Sequence, residues 1–290
     1  MDALSRHPTL TSSDLESAYE RLCALLDRYQ IKATFAFVAA FTMSEEEARS
    51  KIALFTEVGP WARRWLEPFM ADLAAGQTDG WLLPNTLSNV RKAGIHEIGS
   101  HGFSHLPLVK NEIDSDEFSR ELRSVFKTEG FAKETDMTFV YPRNLIGFTE
   151  ELGHHGFVGY RASHAKPSSR WQHLSDELNP FPKAQAHPMY ARGIVPIPAA
   201  RLLNWRRGMR AQIPISWTSS IWRKTMADSI RSNRLTHIYS HPHNFVTGHD
   251  MFTLLEEVLK TASAHIRTGE LWNPTMKEYA LALRGRGSPT

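Results

Sequence analysis

Apolar residues between Thr11 and Tyr29 recur at helical spacing. Leu15, Ala18, Leu22, Leu25 and Leu26 share one face, and Thr11-Ser12-Ser13-Asp14 supplies N-cap chemistry, so the pattern predicts an amphipathic helix. The period then collapses at IKATFAFVAAF (31–41), a run almost without polar residues, as expected of a strand covered on both faces. Helical patterns return over 44–76 and over 86–94, the latter closed by Gly94. They are followed by a strand at IHEIGSH, a capped helix over 114–130, a strand at MTFVYPRN, a short helix at TEELGHHG and a strand at FVGYRAS. The resulting βαβαβ alternation over 31–163 predicts an α/β fold with parallel strands and its chemistry at their C-terminal ends.

The second half is less periodic. Residues 164–200 are rich in Pro, His, Ser and Asn and read as a long loop insertion. Residues 201–234 carry eight lysines and arginines, interleaved with Trp205, Trp217 and Trp222. They read as a basic helical segment, either a solvated helix pair or a surface for acidic sugars, phosphates or anionic lipid. LTHIYSHPHNF (235–245) is expected to be a strand ending in a polar cluster, and 250–266 a closing amphipathic helix.

Composition narrows the function classes. With 290 residues, 41% hydrophobic and 22% charged, the chain has ordinary globular make-up, and a single domain over 1–290 with its core in 15–280 is expected. The net charge of +3 is too mild to imply nucleic acid. The single cysteine, Cys23, lies in an apolar helical pattern and reads as a buried, inert thiol. The N-terminal stretch has no apolar signal-type region and no apolar run approaches the roughly 20 residues needed to cross a bilayer, so a cytoplasmic location is expected, with peripheral association at an anionic membrane face.

The candidate chemistry begins at HEIGSHGFSH (96–105). His101 follows a predicted strand and His105 comes four residues later, which lets two imidazoles converge on one ion. Neutral imidazole suits Zn, Fe, Ni or Co, with Zn2+ the natural occupant and a carboxylate or third histidine expected beside it. SHPHNF ends another strand, so His241 and His243 can share a rim with that pair, and a non-ligand histidine there can act as general acid. YPRN ends a third strand, where Arg143 offers a forked cation for an anionic substrate.

Taken in order, ALLDRYQIKATFAFV, HEIGSHGFSH, FVYPRN, GFVGYRAS and HIYSHPHNF resemble successive segments of the polysaccharide deacetylase superfamily (NodB homology, carbohydrate esterase 4). The likeness is to its intracellular members in bacterial surface-polysaccharide (O-antigen or capsule) biosynthesis. The resemblance implies a distorted (β/α)7 barrel, His101 and His105 as metal ligands, Arg143 and His241 as catalytic residues, and substrate contacts from Tyr141, Arg161, His243 and Asn244. It also implies metal-dependent removal of an acetyl group from an N-acetylated sugar.

One part of the family pattern is missing. The family begins with a strand bearing paired acids, and here only MDALSRHPTLTSS precedes the first helix. Asp2 and Asp14 are poor substitutes because neither sits at a strand end. The barrel is therefore expected to be incomplete at its N-terminus, which leaves two further expectations open. One is a catalytically inactive, glycan- or partner-binding relative; the other is a related deacylase of sugar amides, such as a deformylase.

Overall fold

The structure, a computed structural model, describes residues 3–163, 179, 184–188 and 193–286. The first helix, α1 (Ser12–Arg28), starts where the pattern predicts, with the Thr11 side chain accepting from the Asp14 amide and Asp14 returning the bond to the Thr11 amide. A glutamine at φ 54°, Gln30, turns the chain into β1 (Thr34–Phe37). The long segment before the second strand folds as α2 (Glu45–Ser50), α3 (Ala53–Thr56), α4 (Pro60–Ala74) and α5 (Pro84–Lys92). Then come β2 (Glu97–Ser100), α6 (Ser115–Phe126), β3 (Thr138–Phe139), α7 (Thr149–His154), β4 (Gly159–Arg161) and β5 (Val195–Ile197). The chain continues through β6 (Arg201–Leu202), α8 (Ile215–Ser232), β7 (Ile238–Tyr239), α9 (Pro242–Thr247), α10 (Met251–Arg267) and α11 (Met276–Arg286).

Strands β1 to β5 form one all-parallel sheet in sequential order, and β6 pairs with β7 in a second, two-stranded parallel sheet. This is the α/β architecture the alternation predicts. Ladder hydrogen bonds do not join the two sheets into a closed barrel among the described residues. All four residues of β2 are buried, as a strand covered on both faces requires, whereas Thr34, Phe35 and Ala36 of β1 are only half-buried.

The cause lies at the edge of β1. The Glu97 amide donates to Ala33 and the His101 amide to Phe37, so the odd-numbered residues of this strand face β2. Thr34 and Ala36 point their backbone groups the other way. On β7 the Arg201 and Leu203 amides reach His237 and Tyr239, which leaves the backbone of Ile238 and Ser240 facing away from β6. All four outward-facing residues line one cavity of about 720 Å³, a seam between β1 and β7 walled by Leu22, Leu26, Val258 and Leu259.

Three sequence expectations change. The 201–234 segment is not helical throughout: it opens as strand β6 and becomes α-helical only at Ile215. The 164–200 stretch contains β5, although most of the proposed loop insertion (164–178, 180–183 and 189–192) lies outside the described residues. The predicted strand at 137–144 contracts to Thr138–Phe139, because Pro142 starts a short 3-10 turn.

Candidate active site

The polar end of the cavity lies where the strands end. His101 follows directly on β2, and its Nδ1–H donates to the Val140 carbonyl at 2.6 Å. A carbonyl can only accept, so that nitrogen carries the proton and Nε2 is left as a lone-pair donor to a ligand. His105 returns to meet it: the two rings lie 4.7 Å apart between centroids at an interplanar angle of 73°.

This convergence depends on the backbone between them. Gly102 has φ 83° and His105 φ 57°, two left-handed residues that curl the loop within one turn. Beneath the loop, Glu121 of α6 accepts from the Ser104 amide at 2.7 Å and from the Ser104 hydroxyl at 3.0 Å and 3.1 Å. Burial pushes the Glu121 pKa up to about 7, against the bonds from Ser104 that favour the ionised form. Trp65 of α4 supports His105 from the other side with stacked rings, donates its indole N–H to the Ser104 carbonyl, and underlies the Arg143 guanidinium.

Arg143 and Asn144 both have φ 55°, so the turn after β3 is itself strained to place them. Arg161 at the end of β4 donates to the Asn144 side-chain oxygen at 2.9 Å and lies over the Tyr239 ring. His101, His105, Arg143, Asn144, Arg161, Ser240 and His241 all line the cavity.

The electrostatics are one-sided. Burial, then its neighbour His105, holds the His101 pKa well below the ordinary value. His105 is pushed down to about 4 by burial and then by Arg143. His241 keeps an exposed surface yet is ringed by cleft walls, and loss of surrounding water, followed by the Arg161 charge, lowers its pKa. These imidazoles are therefore neutral near pH 7, as metal ligation or proton acceptance requires. No aspartate or glutamate lines the cavity among the described residues, while Arg143 and Arg161 do.

Other expected site residues fall on or behind the rim. Tyr141 lines the cavity but is 1% exposed, and its hydroxyl donates to the Gly147 carbonyl at 2.8 Å, which fixes the turn carrying Arg143. His243 stacks behind His241 with centroids 5.1 Å apart and is pushed down to about 4 by burial. Asn244, 2% exposed, accepts from the His241 amide at the start of α9 and so orients that histidine.

The sequence reading missed Trp65, Asn144 and Glu121. Only Glu121 left a signal: it falls within the apolar face formed by Phe118, Leu122 and Val125, where an unpaired charge does not belong.

The described residues contain no group of three His, Cys, Asp or Glu side chains placed to hold a metal. His101 and His105 fit two coordination positions of a divalent ion, through orientation and neutrality. A catalytic zinc takes three protein ligands, one more than this pair supplies.

Residues 7–142 match the polysaccharide deacetylase family. The match takes in α1 through β3, including the His101–His105 loop, and stops before β4 and His241. Among solved structures, the Xyl-CE4 domain of a multidomain xylanase from the hindgut metagenome of Trinervitermes trinervoides aligns over 93% of this chain and 85% of its own, at 9% identity and a TM-score of 0.42. No curated protein matches the sequence.

Proposed function

We propose that this chain is a metal-dependent N-deacetylase of an N-acetylated sugar in surface-polysaccharide biosynthesis, built as one deacetylase-like domain whose two sheets are arcs of an incomplete (β/α)7 barrel. The observation that carries this reading is the convergence of His101 and His105 at the end of β2, inside the segment that matches the deacetylase family. Lewis-acid polarisation of an amide carbonyl is the chemistry a divalent ion, Zn2+ by preference, supplies when held between the pair. His241 on the opposite wall, neutral at rest, takes up the proton released by the attacking water and passes it to the departing amine, and Asn244 fixes its backbone. Arg161 and Asn144, joined by a hydrogen bond, orient the sugar beside Arg143.

The backbones of Thr34, Ala36, Ile238 and Ser240 face one another across the β1–β7 seam, where an added strand could pair with both edges. A strand running parallel to both neighbours would deliver the last residue of its run at the histidine rim.

A second reading rests on one specific observation: among the described residues the cavity is lined by arginines and by no acid. It is a glycan-binding relative that no longer turns over. Elemental analysis and zinc calorimetry on wild type and His101→Ala, with acetate release from N-acetylglucosamine oligomers measured in parallel, separate the two. Metal lost in the variant together with acetate release by wild type supports the hydrolase. Oligomer binding with no acetate released by metal-loaded protein supports the binder.

A further inference from the structure

The segment between β6 and the first turn of α8 presents apolar side chains to solvent, which an ordinary active-site loop has no reason to do. Met209 is 86% exposed and Trp217 47%, the former at the tip of a 3-10 turn (Gly208–Gln212) and the latter in the opening turn of α8. The turn is rigidly held. The Arg206 side chain is buried, and its guanidinium donates to the carbonyls of Ala211 at 2.8 Å, Ile213 at 2.5 Å and His249 at 3.2 Å. Three carbonyls on one buried cation fix the loop from within, so Met209 projects because the loop is built that way.

Charge and position complete the pattern. Residues 201–234 carry eight lysines and arginines against one acid, Asp228, and Arg207, Arg223 and Lys224 are exposed. The segment leaves the C-terminal end of β6, whose partner β7 is followed two residues on by His241, so it flanks the mouth of the histidine cleft. Ile146 and Phe148, exposed in the turn after β3, and Val246 of α9 lie in connections leaving the same rim.

We propose that this rim is a docking surface for an anionic lipid membrane, with Met209 and Trp217 inserted at the headgroup level and the basic residues around them meeting lipid phosphates. The apolar side chains favour lipid over an acidic glycan: a soluble polyanion gains nothing from a projecting methionine, whereas a bilayer buries it. Docked in this orientation, the cleft opens toward the lipid surface. The proposal stands whether or not the cleft is catalytic.

The test is sedimentation of the full chain with vesicles of phosphatidylcholine alone and of phosphatidylcholine mixed with phosphatidylglycerol, with heparin as a soluble polyanion control. Two variants are compared, Met209→Asp/Trp217→Ser and Arg223→Glu/Lys224→Glu, each first checked for an unchanged melting temperature. The expected result is binding to the anionic vesicles only, weakened by salt. Reversing two charges lowers vesicle affinity at least about 30-fold, since losing each basic residue near the surface alone costs about fivefold. The apolar variant also loses vesicle binding but keeps any heparin binding. Absence of vesicle binding by wild type overturns the proposal. So does vesicle binding that survives Met209→Asp/Trp217→Ser, because the surface would then be a general polyanion site.

Discussion

The carboxylate of Glu121 holds both the amide and the hydroxyl of Ser104, the residue before His105 in the chain. A buried acid in α6 thus sets the shape of the loop that brings two imidazoles together. Burying a carboxylate is costly, and its presence on an apolar face is explained by the loop it organises.

Replacing Glu121 with alanine leaves the Ser104 amide and hydroxyl without their acceptor. We expect a loss of about 1–3 kcal/mol in unfolding free energy, the cost of orphaned buried donors. Metal affinity falls with it as His105 leaves its partner, while Glu121→Gln, which keeps an acceptor oxygen, recovers most of both. Denaturant unfolding and zinc calorimetry on the pair of variants read this directly.

Gly102 bears on the same geometry. Its φ is 83°, and a Cβ there would meet the Glu121 carboxylate oxygen at 3.0 Å. Gly102→Ala should cost about 1–2 kcal/mol for the left-handed backbone alone and displace His105 relative to His101. An equal stability loss with metal affinity untouched would mean that the loop is less tightly coupled to the ligands than the contacts indicate.

The pH dependence has a definite sign. His101, His105, His241 and His243 all have folded-state pKa values below the ordinary histidine value, so the unfolded chain binds protons more readily. Their contribution is complete above about pH 6.5 and is lost as pH falls toward the value of about 4 held by His105 and His243. Glu121, raised to about 7, acts oppositely: its protonated form is favoured in the folded chain, so it removes stability as pH rises from its ordinary range toward 7. Four histidines outweigh one glutamate, and metal-free protein should show a falling melting temperature from pH 6.5 to 4. A flat profile would show that the cleft stays wet.

The seam gives a fourth expectation. An apolar dye should fluoresce with this protein, and an extended peptide of alternating apolar residues should displace it by pairing with β1 and β7. The Ala36 amide points into the seam, so Ala36→Pro removes a donor that β2 does not use. Its expected effect is to abolish displacement by the peptide while leaving dye binding in place.

Much of the fold was legible because it rests on local patterns. The helix at 12–28 is written in Leu22, Leu25 and Leu26 and in the Thr11 cap; the placement of His101 follows from its position after Glu97–Ser100. Strand lengths were overestimated because an apolar run continues past the last ladder bond, as Val38 to Phe41 do when they enter a 3-10 turn. Helix α11 and strand β5 were missed because their signal is tertiary: Met276, Tyr279 and Ala280 pack on Val195 and Ile197. The rim residues were legible by motif, but which of them face the cleft depended on left-handed turns at His105, Arg143 and Asn144 that no periodicity announces.

Pro196 has a consequence for how these chains can associate. Val195 and Ile197 bond to β4, so Pro196 presents its nitrogen to the outer side of the sheet, where it has no hydrogen to donate. One margin is thereby sealed and the other is open. A strand joining this sheet is therefore directed to the β1 margin inside the cavity, and the proline-blocked outer edge does not template growth into a fibre.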